Sequence, residues 1–291
     1  MEIAIISGKG GTGKSSIGAA FATLQNDIVL ADCDVDAANL YLLFNPVCEE
    51  EYAFVSGQKA VINEEKCDNC GICMDYCRFD AIVEKDHQVT VLETLCDGCV
   101  LCSRICPREA IHMVNEDKSR MYAGYFQNGR MVYGRLAPGE ENSGRLVNLV
   151  REKAKEIAKE TGIPNIIIDG PPGIGCPVIS TITGVDVVVI VTEPTMSGLH
   201  DLKRTLEMTA GFHLHTKVII NKFDINTEMT SRIETYCNQN GIQVIGKLPF
   251  DPLVVEAMVN CQSITDYAPD SDISKRIRNS YSKIITVNYE S

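Results

Sequence analysis

The 291-residue chain has no excess of basic residues: 27 Lys and Arg stand against 39 Asp and Glu, for a net charge of −12 and a pI near 4.9. A surface that grips nucleic acid needs a basic footprint over the phosphates, so no nucleic-acid partner is expected. The chain also lacks any apolar run approaching the ~20 residues that cross a bilayer, so no stable membrane insertion is expected. It has neither a charged leader nor a signal-like segment and runs straight into the apolar stretch Ile3-Ala4-Ile5-Ile6. The expected location is cytoplasmic. What remains is an ordinary soluble composition, long enough for one large domain and a small one.

The apolar stretch leads into Gly8-Lys9-Gly10-Gly11-Thr12-Gly13-Lys14-Ser15-Ser16 and then the helix-like Ile17-Gly18-Ala19-Ala20-Phe21-Ala22. This order of strand, glycine loop and helix start, spaced G-x-x-x-x-G-K-S, fits a phosphate cradle. Glycines let backbone N–H groups converge on an anion, the helix N-terminus adds its positive dipole end, Lys14 adds a full charge, and Ser15 offers a hydroxyl to Mg²⁺. The expected ligand is ATP with Mg²⁺.

With a second lysine at Lys9, the loop reads K-G-G-T-G-K-S and resembles the deviant Walker ATPases, the superfamily of MinD, ParA, the nitrogenase iron protein and the Mrp-type iron–sulfur carriers. The resemblance implies that Lys9 reaches the nucleotide of a partner subunit, in a homodimer or in a heterodimer with a related ATPase. It implies that Asp34, in Asp32-Cys33-Asp34 after the strand-like Asp27-Ile28-Val29-Leu30-Ala31, is the switch I aspartate that orients or activates the attacking water beside Mg²⁺. Asp169, after Ile166-Ile167-Ile168 and before Gly170-Pro171-Pro172-Gly173, is implied to bind Mg²⁺ through water, with Gly173 sensing the γ-phosphate. Helix capping is the competing explanation for both aspartates. On the base side the resemblance points to Asn221 and to Pro249-Phe250-Asp251, while Glu193-Pro194-Thr195 precedes a dimer-facing helix. The C-terminal Lys275, Arg276, Arg278 and Lys283 form no long basic amphipathic helix of the membrane-docking kind.

Of 13 cysteines, eight lie between Cys67 and Cys106 as an internal repeat offset by 29: Cys67, Cys70, Cys73 and Cys77 map onto Cys96, Cys99, Cys102 and Cys106. The match continues through Ala81-Ile82 and Ala110-Ile111. In a cytosolic chain this cluster reads as metal-binding rather than as a disulfide framework. Each copy is C-x-x-C-x-x-C-x-x-x-C, the spacing that wraps three thiolates around one 4Fe-4S cluster and sends the fourth to another. Zinc is the competing metal. The insert resembles bacterial two-cluster ferredoxins, which implies one cluster on Cys67, Cys70, Cys73 and Cys106 and a second on Cys96, Cys99, Cys102 and Cys77. It departs from that pattern once, with Arg78 after Cys77 where Pro107 follows Cys106. Cys33 reads as packing, Cys176 as inert, and Cys48, Cys237 and Cys261 carry no assignment.

Beyond the repeat, Asn128-Gly129 between two β-type runs predicts a hairpin. Glu140 and Glu141 read as favouring the N-terminus of a helix that runs to about Glu160. Strand and helix patterns then alternate to the end, which argues for an α/β parallel sheet covered by helices on both faces, with ligands at the carboxyl ends of its strands. The expected organisation is a discontinuous P-loop ATPase domain, 1–56 and 116–291, interrupted by an α+β ferredoxin-like domain, 57–115. Three functions compete: ATP-gated electron transfer through the clusters to a redox acceptor, assembly or carriage of iron–sulfur clusters, and a positioning ATPase whose clusters sense redox state.

Overall fold

A computed structural model describes residues 1–285; the last residues of the expected ATPase segment, 286–291, lie outside them. In chain order the first elements are β1 (Glu2–Ser7), α1 (Lys14–Thr23), β2 (Ile28–Asp32), α2 (Leu40–Phe44), β3 (Val47–Phe54), β4 (Gly57–Ile62), α3 (Ile72–Asp75), β5 (Ile82–Lys85), β6 (Gln88–Val91), α4 (Leu101–Ile105), β7 (Ile111–Glu116), β8 (Ser119–Phe126) and β9 (Gly129–Arg135). They continue with α5 (Ser143–Thr161), β10 (Asn165–Pro172), α6 (Cys176–Ile182), β11 (Val187–Thr192), α7 (Met196–Ala210), β12 (His215–Asn221), α8 (Thr227–Gln239), β13 (Gln243–Leu248), α9 (Leu253–Val259), α10 (Ile264–Tyr267) and α11 (Asp272–Ile285). The chain divides into two compact units.

The larger unit comprises Met1–Tyr52, Met121–Arg135 and Ser143–Ser291. Its nine-stranded sheet has the order β13-β12-β11-β1-β10-β2-β9-β8-β3. The run from β13 to β9 is parallel. Strands β2 and β11 are buried along their whole length, as is β1 after its first residue, which is why they read as unbroken apolar runs rather than alternating ones. Ile3, Ile5, Leu30, Ile167 and Val189 meet Ile17 and Phe21 of α1 and Ile273, Ile277 and Tyr281 of α11. The rings of Phe21 and Tyr281 lie 5.0 Å apart between centroids. Alternate strand residues such as Ala4, Ile6 and Ile168 point to the opposite face. There α5 buries Leu146, Val147, Val150, Ala154 and Ile157, a helical spacing. The apolar stripe of α11 is thus spent on the core, leaving its basic residues on the outside. Among the described residues no helix is long and apolar enough to cross a membrane.

The smaller unit, Ala53–Arg120 with Leu136–Asn142, contains the cysteine repeat. It has two antiparallel pairs, β4 with β7 and β5 with β6. The 29-residue offset maps α3 onto α4, β5 onto β7 and the buried pairs Ala60/Val89, Ala81/Ala110 and Ile82/Ile111 onto one another. Leu136–Asn142 belongs to this unit because Glu140 is buried in it. Its carboxylate accepts from Ser56 Oγ at 3.0 Å, from the backbone N–H of Lys118 at 3.0 Å and of Ser119 at 3.2 Å, and from Ser119 Oγ. This corrects the helix-start expectation: Glu140 precedes α5, whose first turn carries no acidic residue. Burial opposes its charge, but those hydrogen bonds prevail and hold the carboxyl below its ordinary range.

Candidate functional site

Three strand ends and the glycine loop converge in the larger unit. The β2–β10 register pairs Asp32 with Asp169, setting two carboxylates side by side at the carboxyl ends of parallel strands. Lys14, in the first turn of α1, is 6% exposed. Its Nζ stands 2.9 Å from Asp169 Oδ2 and 3.4 Å from Asp34 Oδ2, and Ser15 Oγ donates to Asp169 Oδ2 at 2.7 Å. The three residues expected at Mg²⁺, Ser15, Asp34 and Asp169, therefore stand in one cluster with the expected phosphate lysine. Asp169 Oδ1 and Thr12 Oγ1 are buried without a hydrogen-bond partner, which suits groups built to face a hydrated cation and a phosphate.

Asp32, which the sequence offers as a cap of the next helix, is fully buried and does hold the start of α2. It accepts the N–H groups of Asp34 at 3.2 Å, Asn39 at 3.3 Å and Leu40 at 3.2 Å. Burial first, and then the neighbouring Asp169, push its carboxyl up to about 7 against the pull of Lys14. Burial also raises Asp34, and Lys14 pulls it down. A divalent cation at this place would favour the ionised forms of Asp32 and Asp34.

Gly13 has φ +89, and a Cβ there would stand 2.3 Å from Asn221 Nδ2. That amide donates to the Thr12 carbonyl at 2.8 Å, joining the end of β12 to the loop. Gly11, Gly13, Ser16, Asn221, Pro249, Phe250 and Asp251 share one cavity of about 210 Å³ with the apolar residues Val255 and Met258. Sequence reasoning missed those two, because the apolar run Leu253–Val259 does not show which of its residues stay exposed; in the structure Val255 is 58% and Met258 45% exposed.

Gly8 lets α7 approach, since a Cβ on it would meet Asp201, and Gly10 has open space around it. Gly173, at φ +97, donates its N–H to the Ser7 carbonyl at 2.8 Å. Lys9 lies outside the Lys14 cluster. Its Nζ pairs with Glu193 Oε1 at 2.5 Å and donates to Ser197 Oγ at 3.0 Å and Thr195 Oγ1 at 3.3 Å, all within its own chain. Glu193 also meets Lys222 at 3.6 Å, and Lys222 donates to the Gly11 carbonyl at 3.3 Å.

In the smaller unit, both loops of the repeat use left-handed backbone at equivalent places: Asn69 and Gly98, Gly71 and Val100, Asp80 and Glu109. The fourth cysteine of each copy accepts a backbone N–H on its sulfur, Cys77 from Ala81 at 3.4 Å and Cys106 from Ala110 at 3.3 Å. Cys77, Cys96, Cys99 and Cys102 line one pocket, together with Cys73. Cys67, Cys70 and Cys106 do not line it. Burial and then the Cys102, Cys67 and Cys106 thiols push Cys73 up to about 11; burial, Cys96 and Cys99 raise Cys102. Among the described residues no three His, Cys, Asp or Glu side chains close around a single ion. Four of the five sulfurs on that pocket, Cys77, Cys96, Cys99 and Cys102, are the set that the ferredoxin spacing expects at one cluster.

Of the remaining cysteines, Cys33 and Cys237 are buried and Cys48, Cys176 and Cys261 exposed. Burial drives the Cys33 thiol well above its ordinary range and Cys237 to about 11, which suits inert packing.

Residues 3–264 match the CobQ/CobB/MinD/ParA nucleotide binding domain family. The chain is 36% identical over 288 residues to the uncharacterized protein MJ0578 of Methanocaldococcus jannaschii, covering 98% of this chain and 96% of that one. An uncharacterized ATP-binding protein of the same organism, MJ0547, is 25% identical over all of this chain and 89% of its own length. Among solved structures, the septum site-determining protein MinD of Pyrococcus horikoshii, complexed with Mg-ADP, has the same fold. It superposes with a TM-score of 0.59 at 16% identity, over 99% of this chain and 97% of that one.

Proposed function

Because the chain belongs to the CobQ/CobB/MinD/ParA family and is a P-loop ATPase, we propose that its ATP cycle drives a dimeric switch whose smaller unit carries two 4Fe-4S clusters. Gly8, Gly10, Gly11, Thr12, Gly13 and Ser16 cradle the phosphates and Lys14 neutralises them. Ser15 and Asp169 hold Mg²⁺, the carboxylate through water, and Asp34 orients the attacking water at its edge. Asn221, Pro249, Phe250 and Asp251 receive the base, and Gly173 reports the γ-phosphate. Lys9 leaves Glu193 to meet the nucleotide of the other subunit.

Cys67, Cys70, Cys73 and Cys106 hold one cluster and Cys77, Cys96, Cys99 and Cys102 the other. The clusters supply one-electron chemistry, and the reading we put first is ATP-gated electron transfer to a redox acceptor protein. The observation that best supports the cluster assignment is that Cys77, Cys96, Cys99 and Cys102, the set that two-cluster ferredoxin spacing pairs across the repeat, line one pocket, with Cys73 of the other set beside them.

A second reading makes the chain a positioning ATPase whose clusters sense redox state. The likeness to a septum site-determining protein favours it, and the comparisons lend it more than they lend electron transfer. A third reading is a cluster carrier. Protein purified without oxygen, with its iron measured, separates them when Mg-ATP is added alone and with an apo-ferredoxin. Clusters that stay bound while their potential follows the nucleotide support gated electron transfer. Clusters that move to the acceptor only with ATP support carriage. Potentials indifferent to nucleotide, with hydrolysis that follows cluster oxidation state, support the sensor.

A further inference from the structure

The cysteine repeat is symmetric in its thiols but not in its charges. Strands β4 and β6 hold equivalent places, with Lys59 in one where Gln88 stands in the other. Each strand braces the cysteine loop of the opposite copy. In the first loop Asn69 Oδ1 accepts the backbone N–H of Val89 at 2.9 Å. In the second loop Gly98, at φ +66, lies so close to β4 that a Cβ there would stand 2.2 Å from the Gln58 carbonyl oxygen.

One residue further along β4 the symmetry breaks. Lys59 is 8% exposed, its Nζ donates to the Cys96 carbonyl, and Glu116 Oε1 lies 3.4 Å away. Gln88 is exposed and neutral. Arg78 adds a second cation beside a thiol of the same set, where the other copy has Pro107. Asp68 and Asp97 occupy equivalent places in the two loops, and Asp75 stands in the first copy where the second has Arg104. The first loop has its own cations, Lys66 before Cys67 where the second copy has Leu95, and Arg108, but both are exposed, and Arg108 is paired with Asp68 at 2.7 Å.

We infer that Lys59 sets the reduction potential at Cys77, Cys96, Cys99 and Cys102 above that at Cys67, Cys70, Cys73 and Cys106, and so fixes the direction of electron movement between the two sets. The inference rests on the cluster reading above. Reduction adds one electron from a low-potential one-electron donor, with no bond made or broken. A buried ammonium turned toward the Cys96 main chain favours the more negative state, because little solvent screens it. Lys59 is a positioning residue: it acts through the backbone of a thiol ligand. Removing its charge also leaves Glu116 without its counterion, and both effects lower the same potential.

Iron and sulfide analysis followed by a dithionite titration monitored by electron paramagnetic resonance tests this. The wild-type chain is expected to hold about eight iron atoms and to show two one-electron midpoints. Lys59→Gln is expected to lower the higher midpoint by about 59 mV or more, a tenfold change in the electron's partition, and to leave the lower one in place. Lys59→Arg is expected to keep the wild-type value, and Glu116→Gln, which frees the ammonium, to raise the same midpoint.

Two unmoved midpoints in Lys59→Gln, or an equal shift in Lys59→Arg, would overturn the inference while leaving the clusters assigned. Should Lys59→Gln not hold iron, Glu116→Gln decides, and a higher midpoint that it fails to raise overturns the inference. A wild-type chain without iron overturns both readings.

Discussion

Lys14→Ala removes a cation from between Asp169, at 2.9 Å, and Asp34, at 3.4 Å, in a cluster where Lys14 is 6% exposed and Asp32 and Asp169 are fully buried. Removing one partner from a buried ion pair typically costs about 3–5 kcal/mol. The substitution should therefore destabilise the chain even without nucleotide, beyond abolishing ATP binding. The loss should also grow with pH. Burial and Asp169 already raise Asp32 to about 7 with Lys14 in place, and without the pull of Lys14 both Asp32 and Asp34 rise further.

A carboxyl whose folded value lies above its unfolded value of about 3.9 contributes stability that is complete below the unfolded value and lost as pH climbs through the folded one. Above pH 7 the gap between variant and wild type should widen by about 1.4 kcal/mol per pH unit for each extra proton the folded variant retains. Urea unfolding followed by circular dichroism at pH 6, 7 and 8, together with binding of a fluorescent ATP analogue, measures both effects. Unfolding curves that superimpose with wild type at pH 8, or undiminished ATP affinity, would refute the assignment of Lys14 to both roles.

Three further outcomes are expected. Asp34→Ala should bind ATP but hydrolyse it about 10²-fold or more slowly, in single-turnover phosphate release; an unchanged rate would move the water-orienting role elsewhere. Glu193→Gln should free Lys9 from its own chain and tighten ATP-dependent self-association in sedimentation experiments. Weakened association would instead mean that Glu193 works within the dimer. Gly98→Ala should lose the iron of one cluster, about half the total, without loss of the larger unit's helical signal, because its Cβ has no room beside the Gln58 carbonyl. Full iron retention would show that β4 does not brace that loop.

The central strands were legible because burial on both faces forces unbroken apolar runs, and the glycine loop because an anion cradle tolerates few residue types. The 29-residue repeat was legible for the same reason: duplicated packing preserves Ala81-Ile82 and Ala110-Ile111 at the same buried places. Contacts between residues far apart in sequence leave no such trace. Nothing near Lys9 announces Glu193, 184 positions away by number, and nothing near Ser56 announces Glu140. Asp32 is legible as a cap, and it does accept N–H groups at the start of α2, but its pairing with Asp169 becomes visible only once β2 and β10 lie side by side. The acidic pair before α5 misled for a related reason: the first-turn preference for carboxylates is weak and yields to four donors in a buried setting.

The chain departs for the cysteine repeat from β3 and returns through β8, and these two strands are neighbours at the end of the nine-stranded sheet. A two-residue turn could join such strands. Most of the smaller unit, Ala53–Arg120, is in this sense spliced between two neighbouring strands: the entropy difference between closing the long excursion and closing a short turn is only about 2–3 kcal/mol. Strands β1, β2 and β10, whose carboxyl ends border the cluster of Lys14, Asp34 and Asp169, are not interrupted by it. Lengthening that one connection leaves the order of the parallel strands from β13 to β9 unaltered.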